Sequence, residues 1–157
     1  MTQMPVSGLT LVGWREFVGL PAFGIKHLPA KIDTGARTSS LHATDIAVFE
    51  RDGESWVRFT LDGGHGTSQC EAPKVARRVI TSSNGQAQER LIIKTDLQLG
   101  ALQFRAEFSL ADRSDMIFPL LVGRTSLRRR FVVDPGRSFL VSGGSSAEER
   151  FLKGIAT

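Results

Sequence analysis

The chain has 157 residues, 41% of them hydrophobic, with a formal charge of +4 and a pI near 9.8. That is the size of one domain and apolar enough to bury a core, which excludes a disordered chain. The single cysteine, Cys70, excludes an internal disulfide, and no apolar run is long enough for a membrane-spanning helix.

Residues 1–8 read as an N-terminal extension without the basic and apolar regions of a signal peptide, so a cytoplasmic address is expected. Leu9 to Phe17 reads as a first strand, bent at Leu20-Pro21 and Gly24. Ala30 to Asp33 is a short strand that stops at Gly35. Ser39 to Glu50 continues extended, and Asp52-Gly53 is a hairpin signal before Trp56 to Leu61, which Asp62-Gly63-Gly64 closes. Arg78 to Ile93 reads as a second hairpin around Asn84-Gly85. From Leu102 to Leu110 the chain alternates, with Leu102, Phe104, Ala106, Phe108 and Leu110 on one face and Gln103, Arg105, Glu107 and Ser109 on the other.

Met116 to Val122 suits a buried strand ending at Gly123. Thr125 to Arg130 is the one helical candidate, with Thr125 or Ser126 at its N-cap. Phe131 to Val133 and Ser138 to Val141 read as late strands around an Asp134-Pro135-Gly136 turn, and 142–157 as a flexible tail. The expected fold is all-β, a small closed or folded-over barrel over residues 9–141 with one short helix near its C-terminus.

Asp33-Thr34-Gly35-Ala36 carries the chemistry. A carboxylate that activates water needs a rigid, exposed turn. Gly35 lets the backbone pass close to it, Thr34 offers a hydroxyl to neighbouring backbone groups, and Ala36 leaves room for substrate. Two carboxylates close together share a proton, so one can act as base and the other as acid. The chain has one Asp-Thr-Gly, so this mechanism requires two copies of Asp33 across a two-fold axis.

This turn resembles the active-site turn of retropepsin-like aspartic peptidases. Pro119-Leu120-Leu121-Val122-Gly123-Arg124 resembles the segment that runs beneath it in that family and precedes a short helix. A narrower resemblance is to a bacterial family labelled as ATP-dependent zinc proteases and associated with RimK-type ATP-grasp ligases. It is carried by residues 30–43, Arg113-Ser114-Asp115-Met116, Leu121 to Arg124 and Phe131 to Asp134. The resemblance implies a retropepsin-type barrel and a homodimeric aspartic peptidase. Asp33, Thr34 and Gly35 would be its catalytic turn, Gly123 and Arg124 its structural support, and the hairpin around Ser82 to Gln86 its flap. Ala36, Arg37, Arg78, Ser83, Asn84 and Gly85 would meet substrate. Viral relatives of the family carry an acid at the position of Arg37, which leaves Arg124 to find another partner, Asp112 or Asp115.

The ligase association implies a peptide or isopeptide substrate, including glutamate-rich tails, and a ligase partner. Arg37, Arg77, Arg78 and the pI agree with an acidic substrate. The zinc and ATP of the family label find no matching motif: three His stand at 27, 42 and 65 without zinc spacing, and no phosphate-binding loop is present. No cofactor and no nucleic-acid partner are expected. Arg128-Arg129-Arg130 reads as an exposed face at a helix C-terminus, and Cys70 as inert. The rivals are a non-catalytic binding or adaptor domain, which a strict monomer would favour, and a metalloenzyme, which predicts bound zinc.

Overall fold

In the computed structural model, residues 8–62, 66–81, 84–112 and 117–156 are described. The chain is mostly strand: β1 (Thr10–Gly13), β2 (Arg15–Leu20), β3 (Ile25–Ile32), β4 (Ser39–His42), β5 (Thr44–Arg51), β6 (Glu54–Asp62), β7 (Thr67–Thr81), β8 (Ala87–Leu99), β9 (Leu102–Ala111), β10 (Leu120–Val122) and β11 (Phe131–Asp134). The helices are α1 (Arg124–Leu127) and α2 (Gly144–Ala156), with a 3₁₀ turn at Pro21–Phe23.

Nine strands form one sheet in the order β2-β3-β10-β4-β9-β8-β7-β6-β5. Gly19 of β2 pairs with Gln98 of β8, closing β2, β3, β10, β4, β9 and β8 into a six-stranded barrel. The expected closed all-β barrel is therefore the fold. Its interior is filled by Val18, Leu28, Ile32, Leu41, Leu97, Phe108, Leu120 and Val122, all buried. The hairpin at Asp52-Gly53 forms as expected, with φ of 53° and 79° at the two residues, which is the twist a tight β-hairpin needs. Along β9, Ala106, Phe108 and Leu110 are buried as the alternation predicts. Ser109 is buried too, opposite Ser40 of β4 and Ile92 of β8.

Four expectations are corrected. The first strand is two, broken at Trp14, where a Cβ on Gly13 would sit 2.8 Å from Ser138 Cα. The 142–157 segment is not a loose tail. Most of it is α2, whose Phe151 is buried with Phe17 and Phe139. There are thus two helices near the C-terminus rather than one. Ser138 to Val141 is not a strand: the amides of Leu140 and Val141 bond the Glu16 carboxylate at 2.8 and 3.3 Å instead of joining a ladder.

Glu16 is fully buried and accepts two further bonds, from Gly13 N–H at 2.7 Å and Ser142 Oγ at 2.7 Å. Beside it, the Arg15 guanidinium lies 4.9 to 5.1 Å from the rings of Trp14, Phe139 and Phe151. These contacts seat α2 against the barrel.

Candidate active site

β3 ends at Ile32, and the chain turns sharply through Asp33-Thr34-Gly35 before entering β4. β10 fills the gap between those two strands, parallel to β3 (Ile32 opposite Val122) and antiparallel to β4 (Leu121 opposite Ser40). The Asp33 amide donates to Val122 O at 2.9 Å, so the carboxylate turn hangs directly on β10. Asp33 is half-buried, and its Oδ1 accepts the Gly35 N–H at 2.9 Å. A Cβ on Gly35 would sit 3.2 Å from that oxygen, so glycine leaves the carboxylate its room.

Gly123 and Arg124 follow β10 beside the turn, and Arg124 does not have the acidic partner expected of it. Arg124 Nη1 donates to Thr34 O at 3.0 Å. Its expected partner Asp112 is not paired with it, and Asp115 lies outside the described residues. The guanidinium braces a backbone carbonyl of the carboxylate turn, a contact that needs no acid. The N-cap of α1 is Gly123 rather than Thr125 or Ser126. Amides in the first turn of α1 are taken by the active turn itself: Arg124 N–H donates to Ala36 O at 2.8 Å and Thr125 N–H to Arg37 O at 3.1 Å.

Gly123 is required by close approach rather than by its backbone angles. Its φ and ψ of −94° and 179° suit any residue. A Cβ there would lie 2.7 Å from the Thr38 carbonyl carbon and 3.0 Å from Ala36 O. Gly123→Ala is expected to cost about 2 kcal/mol and to displace the Asp33 turn, read as a lower urea midpoint. An unchanged midpoint would show that the loop yields freely.

An open cleft of about 560 Å³ lies against the turn. It gathers three of the residues expected to meet substrate, Ala36, Arg37 and Arg78, together with Gly35 and the hairpin residues Val79 to Thr81. Asn84 and Gly85 are at the hairpin tip, beyond the cleft wall, where Asn84 Oδ1 accepts the Gln86 N–H at 3.3 Å. Ser83 lies outside the described residues. Sequence reading missed Ser39, whose buried Oγ accepts the Gly123 N–H at 3.0 Å and lies 3.2 Å from Ser126 Oγ. It also missed Glu107, which pairs with Arg78 at 3.0 Å across the cleft. A lone serine or glutamate in a strand carries no pattern that marks it.

Among the described residues, no three His, Cys, Asp or Glu are placed to share an ion. His42 Nδ1 lies 3.2 Å from Ala111 O, and His27 meets Phe17 edge-on. His65 is outside the described residues. Burial pushes the Cys70 thiol up to about 11, which suits an inert side chain.

Residues 11–142 match the family described as RimB-like, retropepsin-like aspartic endopeptidase RimB. The chain belongs to this family. Its fold resembles a solved Legionella pneumophila protein described as of unknown function, with a TM-score of 0.75 and 28% identity over 85% of this chain and 98% of that one. Among curated relatives, a probable alpha-L-glutamate ligase of Shewanella pealeana is 36% identical over 94% of this chain. A Desulfotalea psychrophila protein of the same description is 35% identical over 80%. The chain spans about a third of the length of these relatives, 33% and 28% respectively. Among the described residues no helix is long and apolar enough to cross a membrane.

Proposed function

We propose that the chain is an aspartic endopeptidase that works as a homodimer, with Asp33 of each copy facing the other across a two-fold axis. The observation that carries this is the Asp33 turn itself, pinned from beneath by β10, Gly123 and Arg124 and set against an open cleft. One Asp33 carboxylate takes a proton from the water held between the pair. The other, protonated, gives its proton to the carbonyl oxygen of the scissile bond. The resulting tetrahedral intermediate collapses as the amine leaves with a proton. Thr34 and Gly35 hold the carboxylates in place. The segment around Ser82 to Gln86 closes over the substrate as a flap, and Ser83, Asn84 and Gly85 meet the substrate there.

The substrate is an acidic peptide or isopeptide, including glutamate-rich tails built by an ATP-grasp ligase, and that ligase is a partner. Relatives that carry this domain are named as glutamate ligases, and Arg37 and Arg78 line the cleft of a chain with pI near 9.8. A second reading, a binding domain that partners the ligase and cleaves nothing, draws on the same ligase names and on the single Asp-Thr-Gly.

The experiment that separates them is incubation with acidic and neutral peptide libraries in the presence of a metal chelator, read by mass spectrometry beside sedimentation equilibrium. Cleavage by the dimer that survives chelation supports the peptidase. A demonstrated dimer that cleaves nothing, or a strict monomer, supports the binding domain. Equal use of acidic and neutral peptides, insensitive to salt, would remove the acidic substrate.

A further inference from the structure

α1 separates two depressions that share a wall. Thr125 lines the cleft beside the Asp33 turn, and it also lines a second depression of about 550 Å³ formed with Arg128, Arg129 and Arg130. These three arginines are not equivalent. Arg130 is committed to the fold: its guanidinium lies 4.1 Å from the Phe104 ring, and its Nη1 reaches Ser126 O at 3.4 Å. Arg128 and Arg129 are exposed and, among the described residues, neither is paired with a carboxylate; nor is Arg37 on the cleft rim. Other surface arginines behave differently, since Arg51 and Arg58 both pair with Glu71, Arg77 with Glu89 and Arg78 with Glu107. Arg129 also holds a φ of 69°, a backbone conformation costly for a residue with a side chain.

We infer that Arg37, Arg128 and Arg129 form a track that carries an acidic stretch of the substrate out of the cleft and over α1. This rests on the peptidase reading and adds a binding site beyond the scissile bond. Unpaired guanidinium groups clustered around a depression concentrate a positive field, and each offers a fork of donors to a carboxylate. A single exposed pair contributes little, so the track works through several contacts in series and favours long acidic chains over short ones. A peptide fits better than a nucleic acid. Single-stranded nucleic acid binds by stacking its bases on bare rings, whereas this depression is lined by Thr125 and arginines, and Arg130 lies over the Phe104 ring.

The test uses the full chain carrying Asp33→Asn, so that binding is read without cleavage. The probes are fluorescein-labelled oligoglutamates, one of about four residues and one of about twelve, the latter spanning roughly 40 Å when extended. Fluorescence anisotropy is expected to show the long peptide binding at least about tenfold more tightly. Adding Arg128→Gln and Arg129→Gln should bring the long peptide down to the affinity of the short one and leave the short one unchanged, with the melting temperature unmoved. A length advantage that survives both substitutions overturns the track, and so does an oligonucleotide of equal charge that displaces the long peptide. Cleavage is measured in parallel with Asp33 intact. Normal cleavage without a length advantage removes the track and keeps the peptidase. A length advantage lost on double substitution, with no cleavage by any form, keeps the track and removes the peptidase.

Discussion

Asp33→Asn is expected to lower peptide cleavage by at least about a thousandfold while leaving the fold intact. Asparagine has the shape of aspartate, and its carbonyl oxygen can still accept the Gly35 N–H that Oδ1 accepts at 2.9 Å. What it loses is the exchangeable proton. General acid–base catalysis contributes about 10²- to 10⁴-fold, and in the proposed dimer both roles fall on the same pair. The variant also tests the dimer. When it is mixed with wild type and the subunits exchange, activity should fall as the square of the wild-type fraction, because a mixed pair has only one carboxylate. A linear fall would mean that each chain acts alone.

Glu16→Ala is expected to destabilise the chain by about 4 kcal/mol, a large share of the 5–15 kcal/mol that holds a typical domain together. The Glu16 carboxylate accepts bonds from Gly13, Leu140, Val141 and Ser142. Each donor left without a partner costs about 1–3 kcal/mol where water cannot replace it. Gly13 is deeply placed and bears most of that cost, while the part-buried donors near residue 140 recover some through hydration. The loss should spread to α2, because Phe139 immediately precedes the Leu140 donor, stacks on Phe17 at 5.3 Å and packs with Phe151 of α2. Urea unfolding measures the first effect, and limited proteolysis after residue 142 the second. A midpoint shift near zero would show that the clasp is dispensable.

These two residues also mark what a single sequence displays. Asp33 was visible because its chemistry demands a local pattern, Asp-Thr-Gly-Ala, and because Gly123-Arg124 follows in the right order. The barrel was visible through alternation in 102–110 and through turn signals such as Asp52-Gly53. Glu16 was not visible: it is one acid in an apolar strand, and three of its four partners lie 124 to 126 residues away. The same long-range bonds explain why Ser138 to Val141, apolar enough for a strand, is not one. α2 was obscured by its glycines and charges, although the spacing of Ser146 and Glu149 is a helix-start signal. The partner of Arg124 could not be read because it is a backbone carbonyl, which every residue offers.

The insertion of β10 between β3 and β4 has a consequence in time. The bonds that tie the region of the Asp33 turn to β10 and α1 join residues 84, 87 and 90 apart. Contacts so distant form late, because closing a long loop costs chain entropy before anything repays it. On a ribosome, the segment around Asp33 emerges well before residues 120–127 exist to complete it. Until they arrive, β3 and β4 have an empty lane between them, and the carboxylate turn has nothing to hang on. The nascent chain therefore carries Asp33 early but cannot shape its turn until residues 120–127 have been made.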